Sequence, residues 1–243
     1  MKLRKFVLLG TVCLLATAIA ADDKGKPVVV DSGSFGIMVK GSRVATETFR
    51  VEQRGTSSVV VSELRTEDAS KATQTAELEM AANGGLKRYT WKETKPGDAT
   101  ILVEPQDEQF LSLRWSEGGT AAPKNTTMAL TPATSIVDDN FFSQMQVLVW
   151  KYMAMGCRPT PDGQNECVWI PRKLPTLNPH QQEPMLINIE YGQQQRFKLK
   201  GVEHSYKIFR LKGESTEWTL YFSDDNKLVR VLIPAEHAEV VRD

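Results

Sequence analysis

Three kinds of residue in this 243-residue chain could do chemistry: its histidines, its acids and its cysteines. His180, His204 and His237 are scattered, and none has H-E-x-x-H or zinc-triad spacing, so no metal site and no cofactor are expected. Gly33-Ser34-Phe35-Gly36 is one residue short of a nucleophile elbow and opens a strand rather than a helix. No P-loop and no G-x-G-x-x-G motif occurs. A serine–histidine pair assembled in space leaves no signature of spacing, so a hydrolase stays among the alternatives. Catalytic residues are therefore assigned to none of these positions.

The acids are more informative. Asp138-Asp139 could be a carboxylate pair for Ca²⁺ or acid–base work, but an acid just before a helix ordinarily caps its free amides, and that is the expectation here. Asp224-Asp225-Asn226 reads as a hairpin turn, because it lacks the further spaced carboxylates of a calcium loop. Glu47 shares parity with Ala45, Phe49 and Val51, so strict alternation aims it at the core. There its pKa would rise and it could serve as a general acid or a ligand contact. The ordinary alternative is a sheet edge or bulge that turns it to solvent.

Met1–Lys5 carries three positive charges, Phe6–Ile19 is a fourteen-residue apolar run, and Ala18-Ile19-Ala20 supplies small residues for cleavage. This is the pattern of a secretory signal peptide, residues 1–20, too short for a spanning helix of about 20 residues. Cys13 sits inside that run without a lipid-attachment context. Cys157 and Cys167 remain, and in an oxidising compartment a structural disulfide across the Pro161-Asp162-Gly163 turn is expected.

The elements that must position these residues are mostly strands. Phe35/Ile37/Val39, Ala76/Leu78/Met80, Tyr89/Trp91, Leu111/Leu113/Trp115, Ile187/Ile189/Tyr191 and Trp218/Leu220/Phe222 alternate with polar residues. Gly41-Ser42, Asn83-Gly84-Gly85 and Asp224-Asp225-Asn226 punctuate them as turns, giving about a dozen strands. Phe141, Phe142, Met145, Leu148, Val149 and Tyr152 instead follow a helical period, predicting an amphipathic helix over 139–153 that stops near Gly156. Lys173–Glu183, with Pro175 and Pro179, is expected to be an extended surface loop. The fold class is mainly β: a large curved antiparallel sheet or half-barrel packed on one amphipathic α-helix, with residues 21–243 a single domain.

Thirty basic residues balance thirty acidic ones; without Lys2, Arg4 and Lys5 the balance is 27 against 30, a net charge of −3. That argues against nucleic acid as a partner, since phosphate binding rests on a basic surface. No second apolar stretch approaches a membrane span, so a mature chain not integral to the membrane is expected.

Phe35-x-Ile37 with Gly41, Glu47-Thr48-Phe49-x-Val51, the run Ile136–Phe142 and the segment Tyr221–Ile233 together resemble uncharacterised secreted bacterial β-proteins, a family of a domain of unknown function. That family is distantly similar to periplasmic lipoprotein-sorting carriers, which hold acyl chains in a half-barrel closed by helices; this chain has one clear helix where the carriers have several. The resemblance implies a periplasmic or secreted protein and supplies no catalytic residues. The leading expectation is a non-catalytic binding protein of the cell envelope, for an apolar or lipid-like ligand or an envelope protein. Its candidate ligand contacts are Glu47, Trp91, Trp115, Phe141, Phe142 and Met145, since aromatics between sheet and helix can line a cavity as well as fill a core. The alternative is a structural or assembly module whose concave face is filled by side chains.

Overall fold

The computed structural model describes residues 26–68, 70–71, 73–94, 97–119, 122–159, 165–199, 201–214 and 216–243. The signal-peptide segment, Cys13 and the Pro161-Asp162-Gly163 turn lie outside the described residues.

Strands β1 (Val28–Val39), β2 (Ser42–Arg54), β3 (Ser57–Thr66), β4 (Thr73–Ala81), β5 (Leu86–Thr94), β6 (Thr100–Pro105), β7 (Leu111–Ser116) and β8 (Lys124–Met128) form an antiparallel meander, each pairing with the next. The chain then passes through β9 (Ser135–Ile136), helix α1 (Phe142–Gly156) and a small ribbon of β10 (Cys157–Pro159) and β11 (Asn165–Cys167). A second meander follows: β12 (Arg172–Asn178), β13 (Glu183–Leu199), β14 (Val202–Lys212), β15 (Glu217–Phe222), β16 (Leu228–Ile233) and β17 (Ala238–Arg242). β17 pairs with β1, so the first and last strands join the two meanders into one 15-stranded sheet with β8 and β9 at its ends. Every pairing is antiparallel except β9 with β12. The sheet does not close into a barrel, but the Leu86 amide donates to the Pro132 carbonyl at 2.6 Å, bringing the stretch before β9 against β5. The mainly β class with one helix, read from alternation and one helical stretch, is the architecture observed.

Local chemistry explains the turns. Val39 pairs with Ser42, so Lys40 and Gly41 form the two-residue connection of the first hairpin. Both have positive φ, +50° and +81°, as the mirror-image hairpin turn requires. The turn therefore sits one residue earlier than the Gly41-Ser42 reading. In β5, a register shift opposite Glu79/Met80 lets Leu86 and Tyr89 both face inward although three residues apart.

Helix α1 lies in the concavity, with Phe142, Met145, Leu148, Val149, Tyr152 and Met153 buried. Each such side chain contributes roughly 1.5–3 kcal/mol on leaving water. Burial reaches beyond the expected apolar stripe to Ser143, Gln144 and Gln146. The helix begins at Phe142, three residues after Asp139, and it ends at Gly156 as expected. Neither Asp138 nor Asp139 caps it: the N-cap is Phe141, whose own side chain makes no capping bond. Asp138 instead shapes the approach, its Oδ1 accepting the Asn140 amide (2.9 Å) and its carbonyl accepting the Phe141 amide (3.1 Å).

The expected loop at Lys173–Glu183 is also corrected, since Arg172–Asn178 is strand β12, with Leu174 and Leu177 buried. Pro175 is tolerated there because the outer flank of β12 is paired only at Thr176 and Leu177, by β9.

Cys157 and Cys167 face each other across the β10–β11 ribbon and are disulfide-bonded, their Cα atoms 4.0 Å apart. The bridge spans a sequence separation of 10, for which loop-closure entropy gives about 2.5 kcal/mol. Replacing both cysteines with serine should lower stability in chemical denaturation by up to that amount while leaving the far-ultraviolet circular dichroism unchanged. A melt identical to wild type would show that the ribbon unfolds independently of the sheet.

Candidate functional site

Strict alternation wins at Glu47. The β2–β3 register runs unbroken from Ala45 to Arg54, with no bulge to turn the side chain out, and Glu47 is fully buried. Its carboxylate meets the first turn of α1, where the leading amides lack helical acceptors. Oε2 accepts the Phe142 amide at 2.7 Å, and Oε1 accepts the Ser143 amide at 3.2 Å. The Ser62 and Ser143 hydroxyls, 2.8 Å apart, complete a buried polar cluster. Burial pushes the Glu47 pKa up to about 7, against the pull of the hydroxyl and amide donors. The helix cap that the sequence places on Asp138 or Asp139 is thus supplied by a strand 95 residues away.

Two further polar groups hold the helix and its approach. Asp138 is buried and accepts the Tyr89 hydroxyl and the His180 Nε2, the latter at 2.9 Å. Burial opposes the charged form of His180, but the Asp138 hydrogen bond and the charges of Asp138, Asp139 and Glu93 outweigh it, so its pKa is raised. Its stabilising contribution is complete below the ordinary histidine pKa and is lost as pH rises through the raised one. At the other end of the polar set, buried Asp31 on β1 receives a two-pronged bond from Arg242 on β17, at 2.6 and 3.0 Å. Gln146 on the helix donates to the same carboxylate (2.9 Å) and accepts the Leu228 amide of β16 (2.7 Å). One glutamine therefore ties α1 to strands of both meanders.

Two larger cavities flank the helix, and a smaller one of about 330 Å³ lies beside Trp150 and Met153. The first, about 640 Å³, lies between α1 and the N-terminal meander, lined by Val51, Leu78, Met80, Leu86, Ile136, Val147, Leu148, Trp150 and Met155, with Gln53, Ser58, Gln144 and Lys151 among the polar residues. The second, about 720 Å³, lies at the N-terminal end of the helix and mixes Ile37, Val39, Val44, Leu64, Phe142 and Trp218 with Arg43, Glu67, Asp68, Lys71, Asp139 and Glu236. The first has the chemistry of an apolar binding site, concave and sparsely polar. Among the described residues, no group of three or more His, Cys, Asp or Glu could hold a metal ion.

The six sequence-predicted contacts are not brought together around one void. Glu47, Phe141 and Phe142 meet at the start of the helix, and Phe142 lines the second cavity. Met145 is buried in the core. Trp91 is buried with its indole donating to Gln74 Oε1 (3.2 Å) and edge-on to the His180 ring (4.7 Å between centroids), and Trp115 is half-buried against the core. The residues missed are those lining the first cavity. Leu78, Met80 and Leu148 carried the right periodicity, but only the curvature of the sheet separates positions that face the helix from positions that face space. The buried Ser143, Gln144 and Gln146 did leave a signal: α1 has a single charged residue, Lys151, as expected of a helix enclosed on several sides.

A group whose folded pKa is raised from 4.5 to about 7 binds an extra proton when folded, so stability falls as pH rises between those values. Glu47→Gln keeps an acceptor oxygen without the charge. The stability of wild type relative to Glu47→Gln should decline by roughly 3 kcal/mol from pH 4.5 to pH 8, measured by urea unfolding across that range. A difference that does not vary with pH would mean Glu47 titrates as an ordinary carboxylate.

No family model matches the chain, and no curated protein is similar to it in sequence. Among solved structures, it is similar to the β-barrel-like protein of a domain of unknown function, DUF1849, from Brucella abortus. The TM-score is 0.54 at 7% identity, over 87% of this chain and 94% of that one. At that identity the likeness is one of fold: an uncharacterised β architecture with a barrel-like sheet.

Proposed function

We propose that this chain is a secreted, non-catalytic protein of the bacterial cell envelope that binds an apolar, lipid-like ligand between α1 and the N-terminal meander. The observation that carries the reading is the cavity of about 640 Å³, whose walls are mostly aliphatic and methionine side chains. Its size falls in the usual range for small-molecule sites, about 300–1,000 Å³. The polar set around the helix supports the same reading: Glu47 and Gln146 fix α1 at two points, which favours a fixed helix position beside the cavity. The disulfide and the signal-peptide pattern fit an oxidising compartment. Among the described residues, no helix is long and apolar enough to cross a membrane. An acyl chain held inside an incomplete barrel is also the arrangement of the lipoprotein-sorting carriers that the sequence distantly resembles.

The test uses a neutral apolar fluorophore, N-phenyl-1-naphthylamine, titrated into the purified mature protein. Ala154 lies at the exposed rim of the cavity, where a large side chain can enter the void without disturbing the core. Wild type should give a saturable fluorescence increase at one site, and Ala154→Trp should weaken it about tenfold while keeping the melting temperature. No saturable binding, or binding unchanged in the variant, would turn the reading toward the structural module, whose concave face serves only to enclose its helix.

A further inference from the structure

Among the described residues, the lining of the first cavity contains one charged side chain, Lys151, and no acid. Its Nζ donates to the Ala133 carbonyl at 2.7 Å and the Ser135 hydroxyl at 3.1 Å. Among the described residues, these two neutral acceptors take two of its three N–H donors. Thr134, between them, is buried, and its hydroxyl has no hydrogen-bond partner among the described residues. Burial lowers the Lys151 pKa with no neighbouring charge to oppose it, as expected for an ammonium half withdrawn from water without a counter-ion. The aliphatic stem lies along Gly84, at the edge of the cavity. A positive charge at the edge of an apolar void, with its own pairing incomplete, is complementary to an anion carried on an apolar tail.

We propose that the ligand is a single-chain carboxylate, a free fatty acid whose tail lies along Leu78, Met80 and Leu148 and whose headgroup meets the Lys151 ammonium. This inference rests on the reading of the cavity given above. One available donor on a compact point charge suits a singly charged carboxylate. A phosphomonoester headgroup, with about two charges and three acceptor oxygens, is matched better by an arginine fork or several cations, and the lining has one lysine.

Dodecanoate and 1-dodecanol share a tail and differ in the headgroup, so displacement of the neutral naphthylamine probe at pH 7 separates tail binding from charge recognition. Wild type should prefer dodecanoate by about tenfold. Lys151→Met, which keeps the stem and removes the charge, should abolish that preference, lowering dodecanoate affinity far more than dodecanol affinity. Lys151→Arg, which restores the charge, should retain much of the preference, and melting curves should show all three proteins folded. Equal affinity for the two compounds in wild type, or a preference that survives in Lys151→Met, would overturn the headgroup assignment and leave the apolar site standing. Failure of both compounds to displace the probe, or of the probe to bind, would overturn the apolar site and the headgroup assignment together.

Discussion

A carboxylate buried beneath the first turn of a helix fixes the arrangement of this protein. The leading amides of α1 must find acceptors, and Phe142 and Ser143 are buried. Glu47 supplies both oxygens, so the helix can begin only where β2 places that side chain. The cost is a charge held out of water, which the raised pKa expresses. The benefit is position, because a helix pinned at its N-terminus by β2 and further along by Gln146 has little freedom to slide or roll.

Gln146 draws on the junction that makes the sheet continuous. β1 and β17 are the first and last strands, and the Asp31–Arg242 pair spans their junction, the guanidinium also standing 5.2 Å above the Phe49 ring. Gln146 reaches that same Asp31 carboxylate, so sheet joining and helix docking share one buried acid. Removing one partner of a buried ion pair is costly because it strands the other charge, which favours a single assembled arrangement. The helix consequently fills one part of the concavity and leaves a void beside the N-terminal meander.

What the sequence made legible was local. Period-two alternation marked the strands because one face of the sheet is enclosed, and Leu78/Met80 and Leu220/Phe222 show it directly. Strand order was not legible, since nothing near Phe35 announces a partner at Arg242. Glu47 had the correct parity, but its role depended on a helix 95 residues later. The acids before the helix drew the cap to themselves because a sequence-based cap is sought among neighbours, whereas Asp138 spends its carboxylate on Asn140, Tyr89 and His180. Pro175 misled for a related reason: proline excludes a fully paired strand, and β12 is paired along its outer flank at only two residues.

The void beside the helix was legible least of all, being a property of curvature and of where the helix is pinned. Whether it is a binding site is best decided by isotope-filtered nuclear Overhauser spectra of methyl-labelled protein with an unlabelled long-chain alcohol. Contacts from the alcohol chain to Met80, Val147 and Met155 are the predicted result. Contacts confined to Val39 and Val44 at the other cavity, or none at all, would contradict it.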